Sequence, residues 1–219
     1  DLARRMLEEN LKLIDVVVEL VDARAPLATR NPDFDALFSQ KSRVILLNKS
    51  DLASAEQTKK WIEYYKAQNI NAIAFVSTSS AKRKAAVSLI EAAAADKVAK
   101  MKEKGVIKTV RAMVVGIPNV GKSTFINRIA GETKAKVGDK PGVTKGKQWV
   151  KVSPYLELMD TPGLLWPKLE NEALAKHLAY IGSINDDIMD AERLAADLLG
   201  ELIAICPNEL KERYKKIEE

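Results

Sequence analysis

Three observations predict an α/β fold: a mostly parallel six-stranded sheet followed by a small C-terminal all-α domain. Up to about residue 160, apolar runs rich in β-branched residues alternate with stretches of helical periodicity. From Leu164 onward the strand signals cease and only helical spacing continues. The 219 residues are 47% hydrophobic and 30% charged, enough apolar side chain to bury a core and too much for a disordered chain.

The elements follow in order. Leu7, Leu11 and Ile14 recur at helical spacing, and residues 15–22 (DVVVELVD) then switch to a β-branched run. Residues 43–48 (RVILLN) and 72–77 (AIAFVS) are the second and third strands. Between them Ser54, with Gln57 three residues on, opens a helix by a capping-box pattern, Trp61 and Tyr65 on its buried side and Tyr64 at the rim. Val87, Ile90, Ala94, Val98 and Met101 form one stripe of a longer helix. Residues 97–108 then read as its solvated end plus a linker, with Gly105 as the stop. Residues 112–115 are the fourth strand, leading through a glycine-containing loop into a short helix. A turn-rich stretch, 138–147, precedes strands at 148–152 and 156–159. Helical spacing resumes over 170–181 and 191–206, and Pro207-Asn208 starts another helix. The division expected is a domain over 1–163 and a helical one over 164–219, incomplete at its C-terminus.

Composition narrows the function classes. The single Cys206 excludes an intramolecular disulfide framework and a cysteine-cluster metal site, and the single His177 excludes a multi-histidine one. Cys206 is expected to be a buried apolar filler. No apolar run approaches the ~20 residues needed to span a bilayer, and no charged-then-apolar leader opens the chain. A soluble, cytoplasmic, monomeric protein without a membrane partner is expected. The net charge of +5 permits a nucleic-acid partner without demanding one.

Residues 116–123, GIPNVGKS, fit G-x-x-x-x-G-K-S between a strand and a helix, the context that a phosphate-binding loop requires. Successive N–H groups of Asn119, Val120, Gly121, Lys122, Ser123 and Thr124 can curl around phosphate oxygens, aided by the positive N-terminus of the helix. Lys122 would reach the β- and γ-phosphates, and Ser123 would place its hydroxyl on Mg²⁺. Asp160-Thr-Pro-Gly163 closes a strand some forty residues later and fits D-x-x-G, in which Asp160 helps hold Mg²⁺ and the Gly163 amide meets the γ-phosphate. Thr144, within PGVT, is the candidate second hydroxyl ligand of Mg²⁺.

Asn48-Lys49-Ser50-Asp51 follows an apolar strand and fits the guanine-reading N-K-x-D element. A carboxylate at Asp51 accepts from guanine N1–H and the 2-amino group. Adenine offers neither donor, so the buried acceptor would be left unpaired. Asn48 would bond the other base edge, the Lys49 stem would cover the ring, and Val76-Ser77 would supply the remaining backbone contacts.

The order of these motifs is inverted: N-K-S-D first, then Val76-Ser77, GIPNVGKS, PGVT and DTPG. In Ras-like P-loop NTPases the phosphate motifs precede the base-reading ones, so this chain resembles a circularly permuted GTPase. LVDARAP (20–26), GIPNVGKST (116–124), GDKPGVTKGKQWVKV (138–152), DTPGLLWP (160–167) and LKERY (210–214) are similar to the bacterial ribosome biogenesis GTPase A family. That resemblance implies binding of GTP and GDP with Mg²⁺, GTP hydrolysis in the cytoplasm, and a role in assembling the large ribosomal subunit with its rRNA as partner. The alternative is a nucleotide-gated RNA-binding module with little turnover of its own. In potassium-activated GTPases an asparagine matching Asn119 ligates K⁺, which makes K⁺ a candidate second cation.

Lys122, Thr144 and Gly163 are the expected catalytic residues, but the water-orienting group is missing. Where Ras-type enzymes carry a glutamine after D-x-x-G, this chain has Leu164, whose alkyl group cannot hydrogen-bond water. The family assigns the role to a histidine in an N-terminal P-G-H-M element, which is expected to lie just before the residue at which this sequence starts. His177 is expected to be a surface or interdomain residue, and hydrolysis by the chain alone is expected to be slow. Trp166-Pro167 is expected to pack at the domain junction, and Lys97–Lys108 to be solvated or to meet RNA phosphate.

Overall fold

The computed structural model describes residues 2–131, 149–164, 171–184 and 190–214, so the whole turn-rich stretch 138–147 with Thr144, and Trp166-Pro167, lie outside the described residues. Helix α1 (Leu2–Leu11) leads into strand β1 (Val16–Asp22). A one-turn helix α2 (Asp33–Leu37) precedes β2 (Ser42–Asn48), a 3-10 turn (Ser50–Leu52), α3 (Ala55–Ala67) and β3 (Asn71–Ala74). Helices α4 (Arg83–Ala93) and α5 (Ala95–Glu103) lead to β4 (Val110–Val115), then α6 (Lys122–Ala130), β5 (Trp149–Ser153) and β6 (Leu156–Asp160). Helices α7 (Glu172–Tyr180), α8 (Ala191–Ile205) and α9 (Pro207–Arg213) follow.

The sheet order is β3-β2-β1-β4-β6-β5, parallel except where β5 runs antiparallel to β6. β1 is buried along its whole length, as a central parallel strand covered on both faces must be. One face packs Val18, Leu20, Val44, Leu46, Val114 and Phe125, and the other packs Val17, Phe34, Phe38 and Met113. The direction in which successive strands are added to the sheet reverses between β1 and β4. The register sets Asp22 beside Asn48 and Val114 beside Asp160. Asp22, Asn48, Gly116 and Asp160 therefore share the carboxyl edge of the sheet at the point where strand order reverses, the position at which open α/β sheets bind ligands.

Several local expectations need correction. The third strand stops at Ala74. Phe75 N–H still donates to the Leu47 carbonyl (2.8 Å), but Ser77 N–H turns to Asn48 Oδ1 (3.0 Å), so Val76 and Ser77 lie in a loop. The single helix expected through Met101 is two. Ala94 leaves helical geometry (φ −107°, ψ 10°), and α5 runs where Lys97 reaches the buried Asp15 carboxylate at 2.5 Å. Lys108 binds the same carboxylate at 2.9 Å, so both ends of the lysine-rich stretch are tied down. Helix α2 was not anticipated, because one turn is too short to show a period. Its signal is Phe34 and Phe38, four apart, their rings tilted against each other with centroids 5.1 Å apart. Cys206 is half-buried, not a core filler, because the chain turns there between α8 and α9.

Helix α3 is as read from its sequence. Ser54 caps α3 by accepting from Gln57 N–H (3.3 Å), Tyr65 is buried, and Tyr64 is exposed. Asn171 caps α7 and Asp190 caps α8 through their side chains. Leu178 of α7 is fully buried in the same cluster as Leu20, Val114 and Ile117, which joins the first tail helix to the sheet's own core.

Candidate guanine-nucleotide site

The loop between β4 and α6 forms because Gly121 takes φ +98°, a conformation that side chains resist, and so lets the chain enter α6. A Cβ at Gly121 would collide with Asn48 Nδ2. Lys122 is 8% exposed and donates from Nζ to the carbonyls of Gly116 (3.2 Å) and Ile117 (2.9 Å). Burial pulls its ammonium below its ordinary pKa, with the Asp160 carboxylate opposing. Those two carbonyls bond Lys122 through neutral oxygens, and a phosphate entering the loop would offer a charged acceptor in their place. Ser123 Oγ donates to Asp160 Oδ2 (3.2 Å), which brings together two oxygens suited to Mg²⁺, a cation that keeps several waters and needs few protein ligands. Ser123 and Thr124 are exposed in the first turn of α6.

The DTPG segment folds back over this loop. Thr161 Oγ1 donates to the Val114 carbonyl (2.7 Å), and Leu164 N–H donates to the Gly116 carbonyl (3.1 Å). Gly163 sits so close that a Cβ would lie 2.8 Å from Pro118 N. The Leu164 side chain is half-buried and packs against the apolar cluster that holds Val17, Phe34, Phe38 and Met113.

The N-K-S-D element is bound to the phosphate loop through Asn48. Its Nδ2 donates to the Val120 carbonyl (2.8 Å), while its Oδ1 accepts from Ser77 N–H (3.0 Å) and Ser77 Oγ (2.9 Å). One buried amide thus joins three segments far apart in sequence. Lys49, in the left-handed region (φ 58°), donates from Nζ to the Asn119 carbonyl (2.9 Å) and pairs with Asp22 Oδ2 (3.2 Å). Ser50 N–H and Oγ both donate to the Phe75 carbonyl, and Asp51 is exposed in the 3-10 turn. Val76 is half-buried beside this element. Asn119 Nδ2 donates to the Gly182 carbonyl after α7 (2.9 Å), leaving its Oδ1 as the atom suited to a cation.

Three contributors carry no recognisable motif. Asp22, fully buried, receives Arg24 at 2.7 Å as well as Lys49, so it fixes the lysine of the N-K-S-D element. Its only sequence signal is a charge ending an apolar strand. Arg128 donates to the carbonyls of Ser77 (2.9 Å) and Thr78 (2.8 Å) and so holds the base loop against α6. Asn31 reaches across 133 residues to the Leu164 carbonyl (3.2 Å). Arg24 and Arg30 are engaged by carboxylates, Arg24 by Asp22 and Arg30 by Glu19 and Asp35. His177 pairs with Glu201 of α8 (2.8 Å), an interhelical contact in the tail.

Burial pushes the Asp22 carboxyl up, but hydrogen bonds from the Arg24 side chain and amide, with the charges of Arg24 and Lys49, outweigh it and hold Asp22 below its ordinary range. The resulting stabilisation is complete above the unfolded value of about 3.9 and is lost as pH falls through the lower folded value. Asp22→Asn is therefore expected to cost about 1.5–3 kcal/mol at pH 7. The gap from wild type should narrow below about pH 4. Urea midpoints at pH 7, 4 and 3 measure this; a gap constant across pH contradicts it.

Comparison with known proteins points the same way. Residues 111–217 match a family model described as 50S ribosome-binding GTPase. Ribosome biogenesis GTPase A of Priestia megaterium is 48% identical over 214 residues, covering 97% of this chain and 74% of that protein. The Thermotoga maritima protein of the same name is 37% identical over 192 residues, covering 88% and 66%. The crystal structure of GNP-bound YlqF from T. maritima superimposes with a TM-score of 0.67 at 30% identity, covering 100% of this chain and 78% of that one. No helix among the described residues is long and apolar enough to cross a membrane. With the base-reading element preceding the phosphate loop in sequence and meeting it at Asn48 in space, the chain belongs to the ribosome biogenesis GTPase A family and is a circularly permuted P-loop GTPase.

Proposed function

We propose that this chain uses GTP hydrolysis to act as an assembly factor on the large ribosomal subunit, with its nucleotide state controlling how the helical tail engages rRNA. The observation that carries the reading is Asn48 bridging Val120 and Ser77, which makes one pocket of the base-reading and phosphate-binding segments. In that pocket Asn48, Lys49, Ser50, Asp51, Val76 and Ser77 take the guanine. Asn119, Val120, Gly121, Lys122, Ser123 and Thr124 take the phosphates, and Gly163 contacts the γ-phosphate. Mg²⁺ would be held by Ser123 and Asp160, with Thr144 as a further hydroxyl; bound there, it neutralises charge on the β- and γ-phosphates. Asn119 Oδ1 would serve K⁺.

The tail, residues 164–219 in this reading, follows Gly163 directly in sequence. It also meets the phosphate loop through Asn119 and Gly182. A shift of DTPG on loss of the γ-phosphate would therefore act on the tail by two routes. The Leu164 side chain, packed against the apolar cluster that holds Val17, Phe34 and Met113, offers water no hydrogen bond, which supports slow turnover by the chain alone.

Single-turnover hydrolysis with and without purified large ribosomal subunits tests the reading. Stimulation of at least about tenfold by the subunit is expected, since a supplied transition-state contact is worth 10³ or more elsewhere. Nucleotide-dependent binding to the subunit with no stimulation would instead favour a nucleotide-gated RNA-binding module. No binding in any nucleotide state would defeat both.

A further inference from the structure

We infer that Asn31 is a positioning residue for GTP hydrolysis, holding the peptide after DTPG so that the Gly163 amide stands where the γ-phosphate arrives. This rests on the proposed role of Gly163. Leu164 is bound at both of its backbone groups: its N–H donates to the Gly116 carbonyl (3.1 Å) and its C=O accepts from Asn31 Nδ2 (3.2 Å). The first bond ties the segment to the phosphate loop. The second ties it to the loop between β1 and α2, which belongs to neither nucleotide motif.

Asn31 is suited to hold a fixed point. It is 5% exposed, its Oδ1 accepts from Asp33 N–H (3.0 Å), and its backbone carbonyl accepts from Phe34 N–H (3.1 Å). With the amide oxygen so engaged, the NH₂ group is directed at Leu164. The loop carrying Asn31 is anchored at both sides. Thr29 Oγ1 accepts from Asp22 N–H (2.9 Å) and donates to the Ala25 carbonyl (2.8 Å), and the Arg30 guanidinium binds Asp35 (2.6 Å) and Glu19 (3.4 Å). Asp22, which starts this loop, also binds Lys49 of the base reader. One braced loop thus runs from the guanine-reading side of the site to the γ-phosphate side. It takes the backbone of residue 164 as its partner, a contact that the residue's alkyl side chain cannot supply.

Asn31→Asp isolates the donor. It keeps the Oδ1 that accepts from Asp33 and replaces NH₂ by an oxygen that repels the Leu164 carbonyl. Asn31→Ser also keeps a turn-forming oxygen but is too short to reach Leu164, and it serves if the aspartate variant does not fold. For each, the affinities for GDP and for a non-hydrolysable GTP analogue are measured, with the single-turnover rate, beside wild type and Gly163→Ala. GDP affinity within about twofold of wild type is expected, with analogue affinity and rate both lowered about 5- to 10-fold, the worth of one hydrogen bond. A purely structural role would lower both nucleotide affinities together or neither. If the Asn31 variants keep the wild-type ratio of analogue to GDP affinity and the wild-type rate while Gly163→Ala loses both, the positioning role is wrong and the γ-phosphate reading stands. If Gly163→Ala also leaves the ratio unchanged, that reading falls and takes the role of Asn31 with it.

Discussion

Gly121→Ala is expected to lower affinity for GDP by about 100-fold or more, equivalent to the ~3 kcal/mol carried by a few hydrogen bonds. Two effects combine. The backbone at 121 has φ +98°, where any side chain is strained by about 1–2 kcal/mol. The new Cβ would also collide with Asn48 Nδ2, the amide that joins the base reader to the phosphate loop. Moving Asn48 breaks its bond to Val120 and disturbs the two it accepts from Ser77, so guanine and phosphate recognition are lost together. Gly105→Ala separates the two effects, because Gly105 has φ +74° with nothing within 4 Å of a Cβ. It should cost only the strain, seen as a small fall in melting temperature, with GDP affinity intact. Equilibrium GDP titrations of both variants decide the matter; wild-type affinity in Gly121→Ala would separate the two motifs energetically.

Glu19→Ala is expected to destabilise the fold by about 3–5 kcal/mol, the cost of removing one partner from a buried ion pair. Glu19 lies in the middle of β1 and is 1% exposed. Arg43 meets it at 2.8 Å and Arg30 at 3.4 Å, and Asp35 binds both arginines from the exposed side at 2.8 and 2.6 Å. Burial pushes the Glu19 carboxyl up while the charges of Arg30 and Arg43 oppose it. Without Glu19 two partly buried guanidinium groups share only the exposed Asp35. Glu19→Gln keeps an acceptor for Arg43 and should cost less. Denaturant unfolding of the three proteins gives the order wild type, Gln, Ala; equal stability of wild type and Ala would make the network energetically idle. Since Arg30 also braces the loop that carries Asn31, hydrolysis by the Ala variant should fall even where it remains folded.

What could be read along the chain was whatever is local. β1, β2 and β4 announce themselves because a buried parallel strand needs an unbroken run of apolar, largely β-branched residues. The phosphate loop, DTPG and N-K-S-D are legible for the same reason: curling a backbone around an anion, or presenting a carboxylate to a base, takes a few consecutive residues of fixed type. Their inverted order, also a property of the chain alone, identified the permutation. Helix α2 is too short to show a period, whereas the early end of β3 depends on what a neighbouring element offers, Asn48 Oδ1 taking the N–H of Ser77.

Asp22, Arg128 and Asn31 show the same limit at the site. Each acts on backbone or charge supplied by a distant segment, Asn31 across 133 positions, and no spacing rule records a partner that far away. The residues proposed to face the nucleotide were legible along the chain, since their chemistry is set by the ligand and is contiguous. Only the tertiary structure decided what holds those residues in place, because a hydrogen bond depends on distance and direction in space and is indifferent to separation along the chain.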